Sequence, residues 1–169
     1  FSRYALDITD YKALERCFEK HKPDVVIHCA AYTNADKAEL EKDLCMRVNV
    51  LGTENIAKLC KKYDCKLAFI SSDYVFDGKS DKPYEVIDQP KPINYYGATK
   101  YEAELFIRKI LEKYFIIRTS CLFGYFGDNF VKDIIKKSQS QIPYYVVDDQ
   151  ISSPTYTADL ANLIAKMIK

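Results

Sequence analysis

The chain has 169 residues, 48% of them hydrophobic and 29% charged, and its 25 lysines and arginines against 24 aspartates and glutamates leave a net charge of +1. That length and balance suit one globular domain with a sizeable core and exclude a disordered chain. The near-neutral charge, with no long basic run, argues against a nucleic-acid partner, and no apolar run approaches the roughly 18 residues that cross a bilayer.

The first residues, Phe1-Ser2-Arg3-Tyr4, are neither a start methionine nor a secretion signal, so the chain is expected to begin inside a longer protein. Thr9 or Asp10 can cap a helix that sets Leu14, Cys17 and Phe18 on one face, and Pro23 follows it. "DVVIHCAA" (24–31) is short, apolar and β-branched, the pattern of a buried strand. From about 48 to 63, Ile56, Leu59 and Cys60 recur at helical spacing, and "KLAFISS" (66–72) reads as a second buried strand. A loop rich in Gly, Pro and Asp covers 77–92. Residues 96–111 are helical in pattern, with Ala103, Phe106, Ile107 and Ile110 on one face. "YFIIRTS" (114–120) predicts a third strand, 129–137 a helix, "PYYVVDD" (143–149) a short strand, and 157–167 a last helix.

Strands separated by helices of ten or more residues pair in parallel through right-handed crossovers. The expected fold is therefore α/β: a doubly wound parallel sheet, Rossmann-like, with residues 1–169 forming a single, partial domain. Ligands of such sheets lie outside the carboxyl ends of the strands, which directs attention to "CAAYT", "SSDYVFDG" and "RTSCLFG". A dinucleotide fold should open with a strand, a Gly-rich turn and a helix. Here the first glycine, Gly52, lies in a helical pattern, so that opening unit is expected upstream of Phe1.

Six cysteines (Cys17, Cys29, Cys45, Cys60, Cys65, Cys121) form no C-x-x-C pair, and the only histidines are His21 and His28. Small buried thiols in a reducing cytosol are the expectation, with no disulfide framework and no metal centre. The chemistry concentrates elsewhere. Tyr96 and Lys100 stand at i and i+4, where one helix face presents both to one ligand. An ammonium beside a phenol favours phenolate and makes the tyrosine a usable proton donor or acceptor. Ser71 and Ser72 end the second strand, and a hydroxyl there could hold a carbonyl oxygen.

With these residues goes a set of longer stretches: "LDITD" (6–10), "KPDVVIHCAAYTNADKAE" (22–39), "NVLGTENIAKLC" (49–60), "ISSDYVFDG" (70–78), "YYGATKYEAE" (95–104), "IIRTSCLFG" (116–124), "NFVK" (129–132) and "DDQISSPTYTADLA" (148–161). In order and spacing they resemble the dTDP-4-dehydrorhamnose reductases, extended short-chain dehydrogenase/reductases. The resemblance implies an NADPH- or NADH-dependent reduction of the C4 keto group of a dTDP-4-keto-6-deoxyhexose, in nucleotide-sugar and cell-surface polysaccharide biosynthesis in the cytoplasm, and it allows a homodimer. It implies that Tyr96 protonates the carbonyl oxygen, that Lys100 lowers the tyrosine pKa and holds the nicotinamide ribose, and that Ser72 donates to the carbonyl where many relatives carry Thr. Asp7 and Ile8 would lie beside the adenosine half of the cofactor, and Ala30, Ala31 and Tyr32 along its backbone. Thr33, Asp73, Tyr74, Cys121 and Asn129 would face the sugar nucleotide.

Plainer roles stand beside several of these. Asp7 can favour the positive end of the following helix, Ala30 and Ala31 can be core alanines, Asp73 can cap a turn, Tyr74 and Phe76 can be core aromatics, and Asn129 can be an N-cap. Pro154 and Thr155 shape either a substrate pocket or the entry to the last helix. Cys121 stands where many rhamnose-pathway reductases carry Trp, which leaves the identity of the sugar open. Lacking the Gly-rich turn and most of the family's C-terminal lobe, the 169-residue chain alone is expected to be inactive. Two competing readings are another nucleotide-sugar 4-ketoreductase or epimerase, and the reductase-like regulatory β subunit of methionine adenosyltransferase, which also carries "ISSDYVFDG".

Overall fold

Asp10 has extended backbone and accepts a hydrogen bond from the Ala13 amide at 3.0 Å, and that cap starts helix α1 (Tyr11–His21). Lys22, in the left-handed region at φ 41°, ends it, and Pro23 bars its continuation. In the computed structural model of the chain, which describes residues 5–139, 143 and 145–169, the elements then follow the expected alternation. Strand β1 (Val25–His28) leads through a short helix α2 (Ala35–Ala38) into one long helical run. That run is α3 (Lys42–Met46), a wide π turn (Arg47–Leu51) and α4 (Gly52–Lys62). Strand β2 (Lys66–Ser72), a 3-10 turn (Asp73–Val75), α5 (Tyr95–Ile110) and β3 (Tyr114–Phe123) complete the central part, and α6 (Phe130–Ser138), β4 (Pro154–Tyr156) and α7 (Thr157–Met167) follow. The strand order is β1-β2-β3-β4, with β1 parallel to β2 and β3 parallel to β4, in agreement with a parallel α/β sheet. Among the described residues no helix is long and apolar enough to cross a membrane.

The chain divides into two compact units, 1–118 and 119–169. In the first, α4 packs between α1 and α5, and the core is the set of apolar faces these three turn toward β2: Leu14 and Phe18, Ile56 and Leu59, Ala103 and Ile107, over Leu67 and Phe69. The faces read from periodicity are thus the ones that are buried. In the second unit the end of β3 pairs with β4 through a register shift between Ser120 and Leu122, and Cys121 (φ 42°) is the extra residue of that bulge.

Several expectations change. Residues 24–31 give a strand of only four residues, and Ile27 is 47% exposed, because β1 has a single neighbour among the described residues. Of the six thiols, Cys45, Cys60 and Cys65 are buried, Cys17 is half-buried, and Cys29 and Cys121 are exposed; all six are free. Pro143 and 145–149 form no strand, and Tyr144 lies outside the described residues. Tyr145, Val146 and Val147 are exposed, and a β-branched run with no face to bury gains little from extending.

The π turn has an identifiable cause. The Thr53 hydroxyl donates to the Asn49 carbonyl at 2.6 Å, competing for the acceptor of the regular helix bond. With its one proton used there, Thr53 Oγ1 accepts from His28 Nε2 at 2.9 Å, so the imidazole is the neutral Nε2–H form. Burial, and then the Lys100 charge, push the His28 pKa down to about 3. Below pH 6.5 the unfolded chain therefore takes up a proton that the folded chain refuses. His28 makes stability fall as pH drops from about 6.5 towards 3, with a slope of about 1.4 kcal/mol per pH unit. Urea unfolding between pH 7 and 4.5 should show that slope reduced by about this amount in His28→Gln, which retains a donor for Thr53.

Candidate functional site

Ser72 is the last residue of β2 and Tyr96 the second of α5, and both are buried. What brings them together is the 3-10 turn between. Ser72 Oγ accepts the Tyr74 amide at 3.2 Å and donates to Asp73 Oδ1 at 3.1 Å, which turns the chain sharply at the strand's carboxyl end. Asn94 then caps α5 by accepting the Gly97 amide at 2.7 Å, and Glu39 accepts the Tyr95 amide at 2.7 Å. The first turn of α5 lies so close to the 3-10 turn that a Cβ on Gly97 would be driven into the Tyr74 carbonyl. The Tyr74 ring meets Tyr96 edge-on at 5.8 Å.

Burial raises the Tyr96 pKa, with Asp73 adding to it, while a hydrogen bond with Ser72 works the other way. The phenol therefore keeps its proton at neutral pH, the state a proton donor needs. Lys100, one turn on and 3% exposed, donates from Nζ to the Ile70 carbonyl at 2.7 Å and lies 4.1 Å from the Phe69 ring centroid. Burial pulls its pKa down to about 8, with Glu104 and the Cys29 and Cys45 thiols opposing. The implied lowering of the tyrosine pKa by Lys100 is not found: burial raises that pKa, and the ammonium is turned to the backbone of β2.

A cavity of about 750 Å³ runs along the length of β1, from Pro23 and Val25 beside α1 to the loop at the strand's carboxyl end. Its wall includes Asp7, Ile8, Ala30, Ala31 and Tyr32, so the residues assigned to the cofactor do share one surface. Two neighbours place them. Asn55 donates to the Ile8 carbonyl at 3.2 Å, and Gly52 leaves room for the Ile8 side chain, which a Cβ would meet at 2.5 Å. Asn49 clasps Tyr32 from both sides, accepting its amide at 2.8 Å and donating to its carbonyl at 3.1 Å, and it also donates to Thr99 Oγ1 at 3.0 Å. The loop after β1 is thereby tied to α5. Asp7 Oδ1 accepts the Thr9 amide at 2.8 Å and its hydroxyl at 2.9 Å, so it organises the approach to α1 as well as facing the cavity. The Tyr32 hydroxyl donates to Glu41 at 2.7 Å, a bond that pushes its pKa up to about 12.

Thr33 is exposed on the same loop, and Asp73 and the 41%-exposed Tyr74 flank Ser72, whereas Phe76 is buried as a core aromatic. In the second unit Asn129 is the N-cap of α6, accepting the Lys132 amide at 3.1 Å, and Cys121 Sγ stands 3.1 Å from Ser152 Oγ. Asn49, Gly97 and the fully buried Glu104 were not singled out from the sequence. Glu104 had a legible signal, since Tyr96, Lys100 and Glu104 continue one helix face at i, i+4 and i+8.

A parallel sheet with Ser72 and Tyr96 meeting at the carboxyl end of β2, Lys100 one turn further along α5, and a cavity along the neighbouring strand defines a Rossmann-like fold of the short-chain dehydrogenase/reductase class. Within that class, the chain belongs to the RmlD substrate binding domain family, which matches residues 1–169. It is 36% identical over 169 residues to a dTDP-4-keto-6-deoxy-D-glucose reductase of Streptomyces niveus, covering 99% of this chain and 59% of that protein. To a dTDP-4-dehydrorhamnose reductase of Streptomyces griseus it is 39% identical over 163 residues, 96% of this chain and 54% of the relative. The crystal structure of a Bacillus anthracis dTDP-4-dehydrorhamnose reductase in complex with NADP superposes with a TM-score of 0.95 at 44% identity, over 99% of this chain and 60% of that one. The chain thus spans little more than half the length of these relatives.

The contact at Gly97 yields a direct test. Gly97→Ala should destabilise the protein by about 1–3 kcal/mol in urea unfolding, because backbone has to move. Gly52→Ala should cost less, since its methyl meets only the movable end of Ile8.

Proposed function

We propose that the protein carrying this chain is an NAD(P)H-dependent reductase of a dTDP-4-keto-6-deoxy sugar. The observation that carries the reading is the meeting of Ser72 and Tyr96 at the end of β2, with Lys100 one turn further along α5 and Cys29 on the cavity wall close enough for the Lys100 charge to act on its thiol. The cavity suits a dinucleotide: its volume is in the range of small-molecule sites, and Ala30 and Ala31 present no side chain that would block a ring or a pyrophosphate. Asp7, Ile8, Ala30, Ala31, Tyr32 and Lys100 would hold the cofactor, which supplies hydride to the C4 carbon.

The chain's own residues then supply orientation and one proton. Ser72, at a fixed strand end, donates to the carbonyl oxygen and sets its distance from Tyr96. Tyr96, protonated because it is buried, gives its proton to that oxygen as negative charge develops. Lys100 contributes a donor for the ribose hydroxyls. Thr33, Asp73 and Tyr74 form the edge of the site that faces the sugar nucleotide. The six free thiols suit a reducing, cytoplasmic setting. A homodimer is the assembly allowed by the resemblance, and residues 1–169 form part of one nucleotide-binding domain.

The test is loss of reduced-cofactor absorbance when the whole protein carrying this chain is mixed with NADPH or NADH and a dTDP-4-keto-6-deoxyhexose. Tyr96→Phe should lower kcat about 10²–10⁴-fold. Survival of a near wild-type rate in that variant rules out the assigned proton donor, and no decay with any sugar nucleotide favours a regulatory, non-enzymatic role. The pH dependence has a defined sign. Lys100 loses its charge as pH rises through about 8, so kcat/KM should fall above that pH and be flat just below it.

A further inference from the structure

Glu104 is a carboxylate with 0% exposure in the middle of α5, one turn beyond Lys100. Its oxygens are shared by two strands. Oε1 accepts from the Ser71 hydroxyl at 2.6 Å and from Arg118 Nε at 3.0 Å, and Oε2 accepts from Arg118 Nη2 at 2.6 Å. Arg108 lies further off at 3.9 Å. Ser71 precedes Ser72 in β2, and Arg118 belongs to β3, where its guanidinium also covers the Phe76 ring at 4.9 Å. One carboxylate therefore ties the helix of Tyr96 and Lys100 to the strand end that carries Ser72.

An ion pair buried this deeply gives little net stability against an apolar replacement of the same volume, so its presence calls for another explanation. Lys100 provides one. From β1 and the residue after it, His28 and Cys29 lie within its field; from α3 comes Cys45; from α5, Glu104. Asp73, on the 3-10 turn, acts on Tyr96. His28 is neutral and the thiols are protonated near neutral pH, which leaves Glu104 as the anion acting on the Lys100 ammonium.

We propose that Glu104 is a positioning residue of the reductase site: clamped by Arg118 and Ser71, it holds the strand end of Ser72 in register with α5 and keeps the neighbouring Lys100 charged. The role assigned to Lys100 rests on the reductase reading, whereas the charge coupling itself is measurable without turnover. With 13C-labelled lysine and the Lys100 resonance assigned by Lys100→Arg, the Cε signal should titrate near pH 8 in the full chain. In Glu104→Gln the midpoint should fall by about one pH unit, and the basic limb of kcat/KM should fall with it, while KM changes little. Should that variant not fold, Glu104→Gln/Arg118→Met removes the pair as a unit, and a smaller downward shift is expected because a cation leaves with the anion. A folded variant whose Lys100 midpoint stays where it was overturns the proposal, even if its thermal midpoint drops, because loss of packing alone does not move that titration. Absence of turnover in the unsubstituted protein speaks against the reductase reading and leaves the titration free to decide this one.

Discussion

A lysine ammonium enclosed in protein is the constraint on which the first unit depends. Removing the Lys100 charge from water costs several kcal/mol unless it is met by partners. Here they are a backbone carbonyl at 2.7 Å, an aromatic face at 4.1 Å and a carboxylate one helical turn away. They lie on two parts of the framework: Ile70 and Phe69 on β2, Glu104 on α5. Helix and strand therefore cannot slide past one another without stripping the ammonium of a partner. The apolar core of α1, α4 and α5 supplies most of the driving force for folding, as it would in any α/β unit. That force is non-directional and would tolerate small changes of register. The polar contacts at Lys100 do not.

The same logic extends outward along two polar lines. On one, Asn49 reaches from the π turn to Tyr32 and Thr99, so the loop over the cavity and the helix carrying Tyr96 move as one piece. On the other, Glu104 links α5 to Ser71 and Arg118. The π turn belongs to this arrangement. The Thr53 hydroxyl bond that widens the helix at Arg47–Leu51 leaves Thr53 Oγ1 as an acceptor, which fixes the neutral tautomer of His28. A histidine held uncharged near Lys100 avoids placing a second cation in the same enclosed volume.

Much of this framework was legible in the chain itself, and the division has a physical basis. Helices α1, α5 and α7 and strand β2 follow from patterns confined to one segment: a capping Asp10, a 3.6-residue apolar spacing, an unbroken run from Lys66 to Ser72. The pairing of Tyr96 with Lys100 is likewise local, a matter of four residues on one helix. Asn49 was illegible as a clasp because its partners are 17 and 50 residues away, and its spacing within the helix resembles that of any polar residue. The expected strand at 143–149 failed for the converse reason. Its β-branched residues describe a preference, and a preference without a neighbouring strand or a core to cover does not make a ladder.

Gly97 shows how a local motif and a long-range requirement coincide. Read along the chain, a glycine inside the first turn of a helix is a liability, since it lowers helix propensity by about 1 kcal/mol relative to alanine. Read across the fold, it is the residue that permits α5 to start directly against the Tyr74 carbonyl. A side chain there would lift the helix away from the 3-10 turn, and Tyr96, its immediate neighbour, would leave Ser72. The spacing between those two hydroxyls is set by how closely one helix terminus can approach one turn, and only the residue without a Cβ allows that approach. The weakness in propensity and the strength in geometry have one cause, and Asn94 and Glu39, both bound to amides of that first turn, restore locally what the glycine gives up.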